Sequence, residues 1–155
     1  MYYTQAGPED EPFLFQLYKE SRMDEVQLWG WEESAQDAFL HMQWMAQKHS
    51  YAAQYPHAEQ LIVNVEVVQV GRIIVSRYDD HKIVLVDITI LKQYQNQKIG
   101  TTLLTELQAE AASTSKSLHL SVLHSNPALK LYERLGFKRT DNNGLYYSME
   151  WNLHN

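Results

Sequence analysis

Cysteine is absent from this chain of 155 residues, which excludes a disulfide framework, a thiol nucleophile and a thiolate metal site. The same absence fits a reducing compartment, and a cytoplasmic protein is expected. Proline and glycine are scarce, at four and six. No low-complexity run, internal repeat or flexible linker divides the chain, so residues 1–155 read as one domain. Long apolar runs are missing too. The longest, residues 83–91, is interrupted by Asp87 and Thr89 and is far too short to span a bilayer. Residues 1–5 lack the basic region and apolar core of a secretory leader. Basic residues are outnumbered 13 to 19, for a net charge of −6, which argues against a nucleic-acid surface. The seven histidines show no ligand spacing, with His119 and His124 near opposite ends of one strand, so no metal is expected.

What is present is ordinary globular material, 45% hydrophobic, in a chain long enough to bury roughly two-thirds of its unfolded surface. Residues 2–6 start as a short β-strand. Pro8, Glu9 and Asp10 make a helix entry, followed by Phe13, Leu14, Leu17 and Tyr18 at helical spacing. A second helix is expected over 34–51, with Ser34 as its N-cap and Phe39, Met42, Met45 and Ala46 at three- and four-residue intervals. After Pro56 the period changes. Residues 61–68, 70–78 and 83–91 are rich in Val and Ile and read as an antiparallel meander with turns at 69–71 and 79–81. A helix over 99–114 carries Ile99, Leu103, Leu107 and Ala111 on one face. A strand at 118–123 follows, then a helix at 128–135 closed by Gly136. Strands at 137–140 and 146–152 end the chain around the turn 141–144. The order is β-αα-βββ-α-β-α-ββ, an α/β mixed sheet. The strand–helix–strand unit over 83–123 implies one parallel pair in an otherwise antiparallel sheet.

Two segments carry chemistry. In the first, Ile88, Thr89 and Ile90 end a strand, Gln95, Asn96, Gln97 and Lys98 form a polar loop, and a helix begins at Ile99, Gly100 and Thr101. A helix N-terminus offers unpaired N–H groups and the positive end of the macrodipole, which suit a phosphate. Gly100 permits close approach, Thr101 and Thr102 add hydroxyls, and Lys98 adds a cation. Taken alone, an ordinary strand-to-helix turn accounts for this loop equally well. In the second, Asn126, Ala128, Leu131, Tyr132, Gly136 and Phe137 follow a strand. Leu131, Leu135 and Phe137 are explained as core, Asn126 as a helix cap and Tyr132 as a packed aromatic.

Together the two segments resemble the GNAT family of GCN5-related N-acetyltransferases. Gln95 and Gly100 match the ends of that family's pyrophosphate loop, and the Asn126 to Phe137 series matches its second cofactor-contacting region. Asn96 and Lys98 stand where the family usually has glycine, so a differently shaped loop, or a direct charge from Lys98, is expected. Asn126 lies one residue nearer to Leu131 and Tyr132 than is usual. The resemblance implies acetyl-CoA as cofactor and donor, with Gln95, Asn96, Gln97, Lys98, Ile99, Gly100, Thr101 and Asn126 binding it. It implies that the backbone N–H groups of Ile88, Thr89 and Ile90 hold the acetyl and pantetheine arm, one of them serving as oxyanion donor. Tyr132 matches the general acid toward the leaving sulfur. Asp87 resembles an aspartate of polyamine-type members and is a candidate base, with a cross-sheet structural carboxylate as its alternative.

The acceptor implied is a primary amine of a small molecule or protein. Trp29, Trp31, Glu32, Glu33, Trp44, Tyr51 and Tyr55 suit a cationic amine, although core packing accounts for Trp44 and Tyr51 more simply. The competing reading is a catalytically silent acyl-CoA-binding or sensing module. A homodimer could form if the final strand, 146–152, were an edge.

Overall fold

The computed structural model describes residues 1–154. In chain order the elements are β1 Tyr2–Gln5, α1 Glu11–Gln27, α2 Glu33–Gln54, β2 Glu59–Val65, β3 Val68–Ser76, β4 Lys82–Ile90, α3 Ile99–Ser113, β5 Ser117–Leu123, α4 Leu129–Arg134, β6 Lys138–Asn142 and β7 Tyr146–Trp151. This is the order expected from the hydrophobic periods. The sheet runs β1-β2-β3-β4-β5-β7-β6. Among the described residues only β4 and β5 are parallel, and they are paired solely through Lys82–Ser117, Ile83–Leu118 and Val84–His119.

One face of the sheet packs on α3 and α4. Val63, Ile73, Val75, Leu85, Leu120 and Met149 project from the strands onto Leu103, Leu104, Leu107 and Tyr132. Burial of this apolar area is the main stabilising term. On the other face α1 and α2 close a second, smaller core of Leu14, Tyr18, Val26, Leu40, Trp44 and Ile62.

Several boundaries differ from the sequence reading, each for a local reason. The β2–β3 turn is not at 69–71 but at Glu66–Val67, where Val65 pairs with Val68 and Glu66 takes the left-handed φ of 56°. Gly71 is instead a mid-strand residue, paired with Val63 and Ile90. A Cβ there would lie 2.5 Å from the Thr89 carbonyl oxygen and 2.7 Å from Ile90 Cδ1. The glycine thus marks close strand approach, not a turn. α2 begins one residue before Ser34, with Glu32 as N-cap, and continues to Gln54. The last strand is not an edge, because β7 lies between β5 and β6. Edge pairing of a second copy through 146–152 is therefore closed, and the outer strands are β1 and β6. Gly136 stops α4 with a φ of 96° and packs under Trp151, as a left-handed cap requires.

Candidate active site

The polar centre starts from an irregularity in β4. Ile74 pairs with Asp87 but Val75 pairs with Leu85, so Val86 is the extra residue of a β-bulge. A bulge breaks the two-residue alternation of side chains. Leu85 and Ile88 both face α3, whereas Asp87 and Thr89 turn toward α2. Arg72, opposite Thr89 on β3, then meets Asp87. Its Nη2 and Nε donate to Asp87 Oδ2 at 2.6 and 3.0 Å, and the Thr89 hydroxyl donates to the same oxygen at 2.9 Å. Arg72 is 4% exposed, and its Nη2 also approaches Gln47 of α2 at 3.5 Å. Among the described residues Asp87 Oδ1 makes no hydrogen bond, and it is not sealed from solvent. One carboxylate oxygen is anchored and the other is available.

Beyond Val84 the parallel strands separate. Leu85–Ile90 continue to pair with β3, and Leu120–Leu123 with β7, leaving a wedge between them. Tyr132 approaches it from α4. Its ring is buried, edge-on to Phe137 at 5.8 Å, and its hydroxyl makes no hydrogen bond among the described residues. Burial, and secondarily the charge of Asp87, push this phenol up to about 12. Tyr51 of α2 approaches from the opposite face. Its phenol is also pushed up to about 12, by burial first and by Asp87 next, with Arg72 opposing. Three elements thus converge on one carboxylate.

The loop beyond β4 leads to the helix N-terminus. After a short turn at Lys92–Tyr94, the Gln95 side chain donates to the Ile90 carbonyl at 3.0 Å, tying the loop to the strand end. Gln97 donates to the Gln93 carbonyl at 3.3 Å. Asn96 and Lys98 both have a φ of 64°. Two side-chain-bearing residues here adopt the left-handed backbone that glycine takes without cost. Lys98 is the N-cap of α3, so a left-handed residue precedes the right-handed Ile99. That alternation turns successive N–H groups into one concavity suited to an anion. Thr102 spends its hydroxyl on the Lys98 carbonyl at 2.9 Å, which leaves Thr101 as the free hydroxyl of the pair. A Cβ at Gly100 would meet only Leu131, at 3.9 Å. Internal packing therefore does not demand glycine, and the same distance places α4 against the head of α3. Asn126 closes a side-chain turn ahead of α4: its Oδ1 accepts from the N–H of Ala128, the N-cap, at 2.9 Å.

A sequence profile of the acetyltransferase (GNAT) domain matches residues 56–139, more than half of the chain. The chain belongs to the GNAT acetyltransferase family. The GNAT fold is also found in solved structures. The PaiA N-acetyltransferase from Thermoplasma acidophilum, in complex with coenzyme A, superposes with a TM-score of 0.71 at 20% identity, over 97% of this chain and 98% of that one. A GNAT family acetyltransferase from Elizabethkingia anophelis with acetyl-CoA bound gives 0.57 at 21% identity, over 67% and 82%. An acetyltransferase from Thermus thermophilus gives 0.67 at 16%, over 98% and 96%. At such identities these neighbours show the fold. No curated protein matches the chain by sequence.

Within this GNAT chain the aromatic and acidic residues considered for a cationic amine do not form one group. Trp29 and Trp31 pack with Phe39, centroids 5.2 to 5.6 Å apart, at the α1–α2 connection beside Glu32 and Glu33. Trp44 lies in the smaller core under Phe15 and His41. Tyr51 and Tyr55 are at the far end of α2, and 22 helical residues separate the two ends by about 30 Å. The residues missed from sequence are Arg72, which holds Asp87, and the polar row His119, Ser121 and Ser148. The signal for that row is the alternation over residues 117–122 of β5, which puts Ser117, His119 and Ser121 on one face, with Ser148 of β7 opposite Ser121. Among the described residues no helix is long and apolar enough to cross a membrane.

Proposed function

We propose that this chain transfers an acetyl group from acetyl-CoA to a primary amine by direct attack. The observation that carries the reading is the wedge between β4 and β5, which leads to the anion-suited head of α3 with Tyr132 beside it. Bound acetyl-CoA supplies an activated thioester. The N–H groups of Ile99, Gly100 and Thr101, with those turned inward at Asn96 and Lys98, suit its pyrophosphate, and the Lys98 ammonium adds charge. Gln95 and Gln97 hold the loop's shape, and Asn126 sets the start of α4. The strand edge Ile88–Ile90 offers N–H groups to the acetyl carbonyl and the pantetheine amides, including a donor aimed at charge that develops on the carbonyl oxygen.

In the transfer the amine nitrogen bonds to the carbonyl carbon, the carbon–sulfur bond breaks, and its electron pair leaves on sulfur. The amine loses one proton and the thiolate gains one, so the products are an amide and a thiol. Asp87, fixed through Oδ2 by Arg72, presents Oδ1 to receive the amine proton directly or through water. Tyr132 stays protonated throughout the neutral range and donates toward the sulfur. Its phenol lies well above a thiol's ordinary value of about 8.5, so it serves as a hydrogen-bond donor to the departing sulfur, and the thiolate takes its proton from solvent.

Calorimetry with coenzyme A and acetyl-CoA, followed by a thiol-release assay over an amine panel, tests the proposal. Micromolar binding with turnover is expected. No binding of either ligand would sink it. Binding without turnover of any amine would favour a silent sensing module.

A further inference from the structure

On the α2 face, α1 packs on β3 and β4, and the smaller core adds Ile62 of β2. Between the end of α2 and the sheet lies a cavity of about 540 Å³ lined in part by Val84, Leu85 and Val86, the residues that precede Asp87 on β4. Its floor is hydroxyl-rich: Ser76 of β3, Ser121 of β5 and Ser148 of β7. Ser121 and Ser148 are cross-strand partners, and Ser76 shares a row with Val84 and His119. None of the three hydroxyls has a hydrogen-bond partner among the described residues, and none is sealed from solvent. His119 bonds Ser117 through Nε2 at 2.8 Å, which leaves Nδ1 free. Burial lowers its affinity for a proton, with Glu150 3.8 Å away opposing. One wall is the stacked pair His57 and Tyr78, with centroids 3.8 Å apart and 13° from parallel. At the rim Lys82 and Asp79 carry opposite charges, and Asp79 is also engaged by the His81 N–H at 2.7 Å.

These features select among amines. Hydroxyls and a neutral imidazole donate and accept, so they are satisfied by ligand groups that do both. An ammonium only donates, and an alkyl chain does neither, so each matches less of this lining than a hydroxyl does. A ligand carboxylate meets Lys82 with Asp79 beside it. The flat His57–Tyr78 wall suits the C–H face of a saturated ring.

Building on the acetyltransferase reading, we infer that the acceptor is a primary amine on a neutral, hydroxylated body of the amino-sugar class. Its amine points to Asp87, and its hydroxyls lie over Ser76, Ser121, Ser148 and His119. The experiment compares glucosamine, spermidine and glycylglycine in the thiol-release assay. It also titrates glucosamine calorimetrically into protein saturated with coenzyme A. Glucosamine is expected to exceed the other two at least tenfold in kcat/KM and to give a binding heat. The double variant Ser121→Ala/Ser148→Ala should raise its KM about tenfold, for two lost hydrogen bonds, with coenzyme A affinity unaltered.

Preference for spermidine or the dipeptide, no glucosamine heat, or a KM that the double variant does not move would each overturn the acceptor assignment. A protein that binds coenzyme A but not glucosamine loses only this inference. One that binds no coenzyme loses the acetyltransferase reading itself.

Discussion

Lys98 offers a test in which backbone shape and charge can be separated. Its φ of 64° and ψ of 15° cost a side-chain-bearing residue about 1–2 kcal/mol relative to a right-handed conformation. Lys98→Gly removes that strain but frees the unfolded chain, which returns about 0.4–1 kcal/mol to the unfolded state. The net expectation is a gain of between zero and about 1.6 kcal/mol, or up to about 6 °C in Tm for a chain of this size. Lys98→Ala keeps the strain and should melt within about 2 °C of the parent. Both variants remove the same charge. An exposed cation near a phosphate contributes about 1 kcal/mol at low salt, so coenzyme A affinity should fall about fivefold in both. That deficit should shrink in 0.5 M salt, where the screening length is only a few ångströms. Thermal melts and calorimetry at two salt concentrations read these effects. A glycine variant melting well below the alanine one would refute the strain argument. Unchanged affinity in both variants would refute the charge argument.

Tyr132→Phe should lower kcat about tenfold or more while coenzyme A affinity stays within twofold, and equal rates would remove Tyr132 as donor. The phenols of Tyr51 and Tyr132 are raised from 10 to about 12. Their folded-state contribution is therefore complete below pH 10 and is lost as pH climbs toward 12, because the unfolded chain ionises first. Alkaline unfolding of Tyr132→Phe should show a shallower loss over that window, and identical slopes would contradict it. Gly71→Ala forces a Cβ against the Thr89 carbonyl and should destabilise by about 1–3 kcal/mol, read as a drop in urea midpoint. Arg72→Met leaves Asp87 without its partner and should be destabilising by about 3–5 kcal/mol. Asp87→Asn added to it should recover part of the loss, and strict additivity in the double-mutant cycle would speak against the pair.

The element order was readable because strands and helices here keep clean periods, Val/Ile runs in β2 to β4 and three- and four-residue spacing in α3. What the sequence left hidden is register. Nothing in Leu85-Val86-Asp87-Ile88 announces that Val86 is extra, yet that one residue decides which face Asp87 takes and makes Arg72 its neighbour. Gly71 looked like a turn signal because glycine serves both turns and close strand contacts, and only the pairing partners tell the two apart. For the site, Gln95, Gly100 and Tyr132 stood out through their resemblance to a family pattern. The serine floor belongs to no motif and emerges only when β5 and β7 lie side by side. The conformation of Lys98 was hidden for a further reason: lysine argues against the left-handed backbone it adopts, whereas asparagine at 96 tolerates it.

The seam between β4 and β5 has a mechanical consequence. Three paired residues join a four-strand plate, β1 to β4, to a three-strand plate, β5 to β7. α3 lies across both as a splint, with Leu103, Leu107 and Ala111 in the shared core. Few ladder bonds cross the line, so small changes in the angle between the plates break little. A ligand seated in the wedge would add the cross-links that the strands omit. The amides of residues 85–90 and 120–123 should then exchange with solvent more slowly when coenzyme A is bound, with the largest change furthest from Val84, where the plates stand most apart.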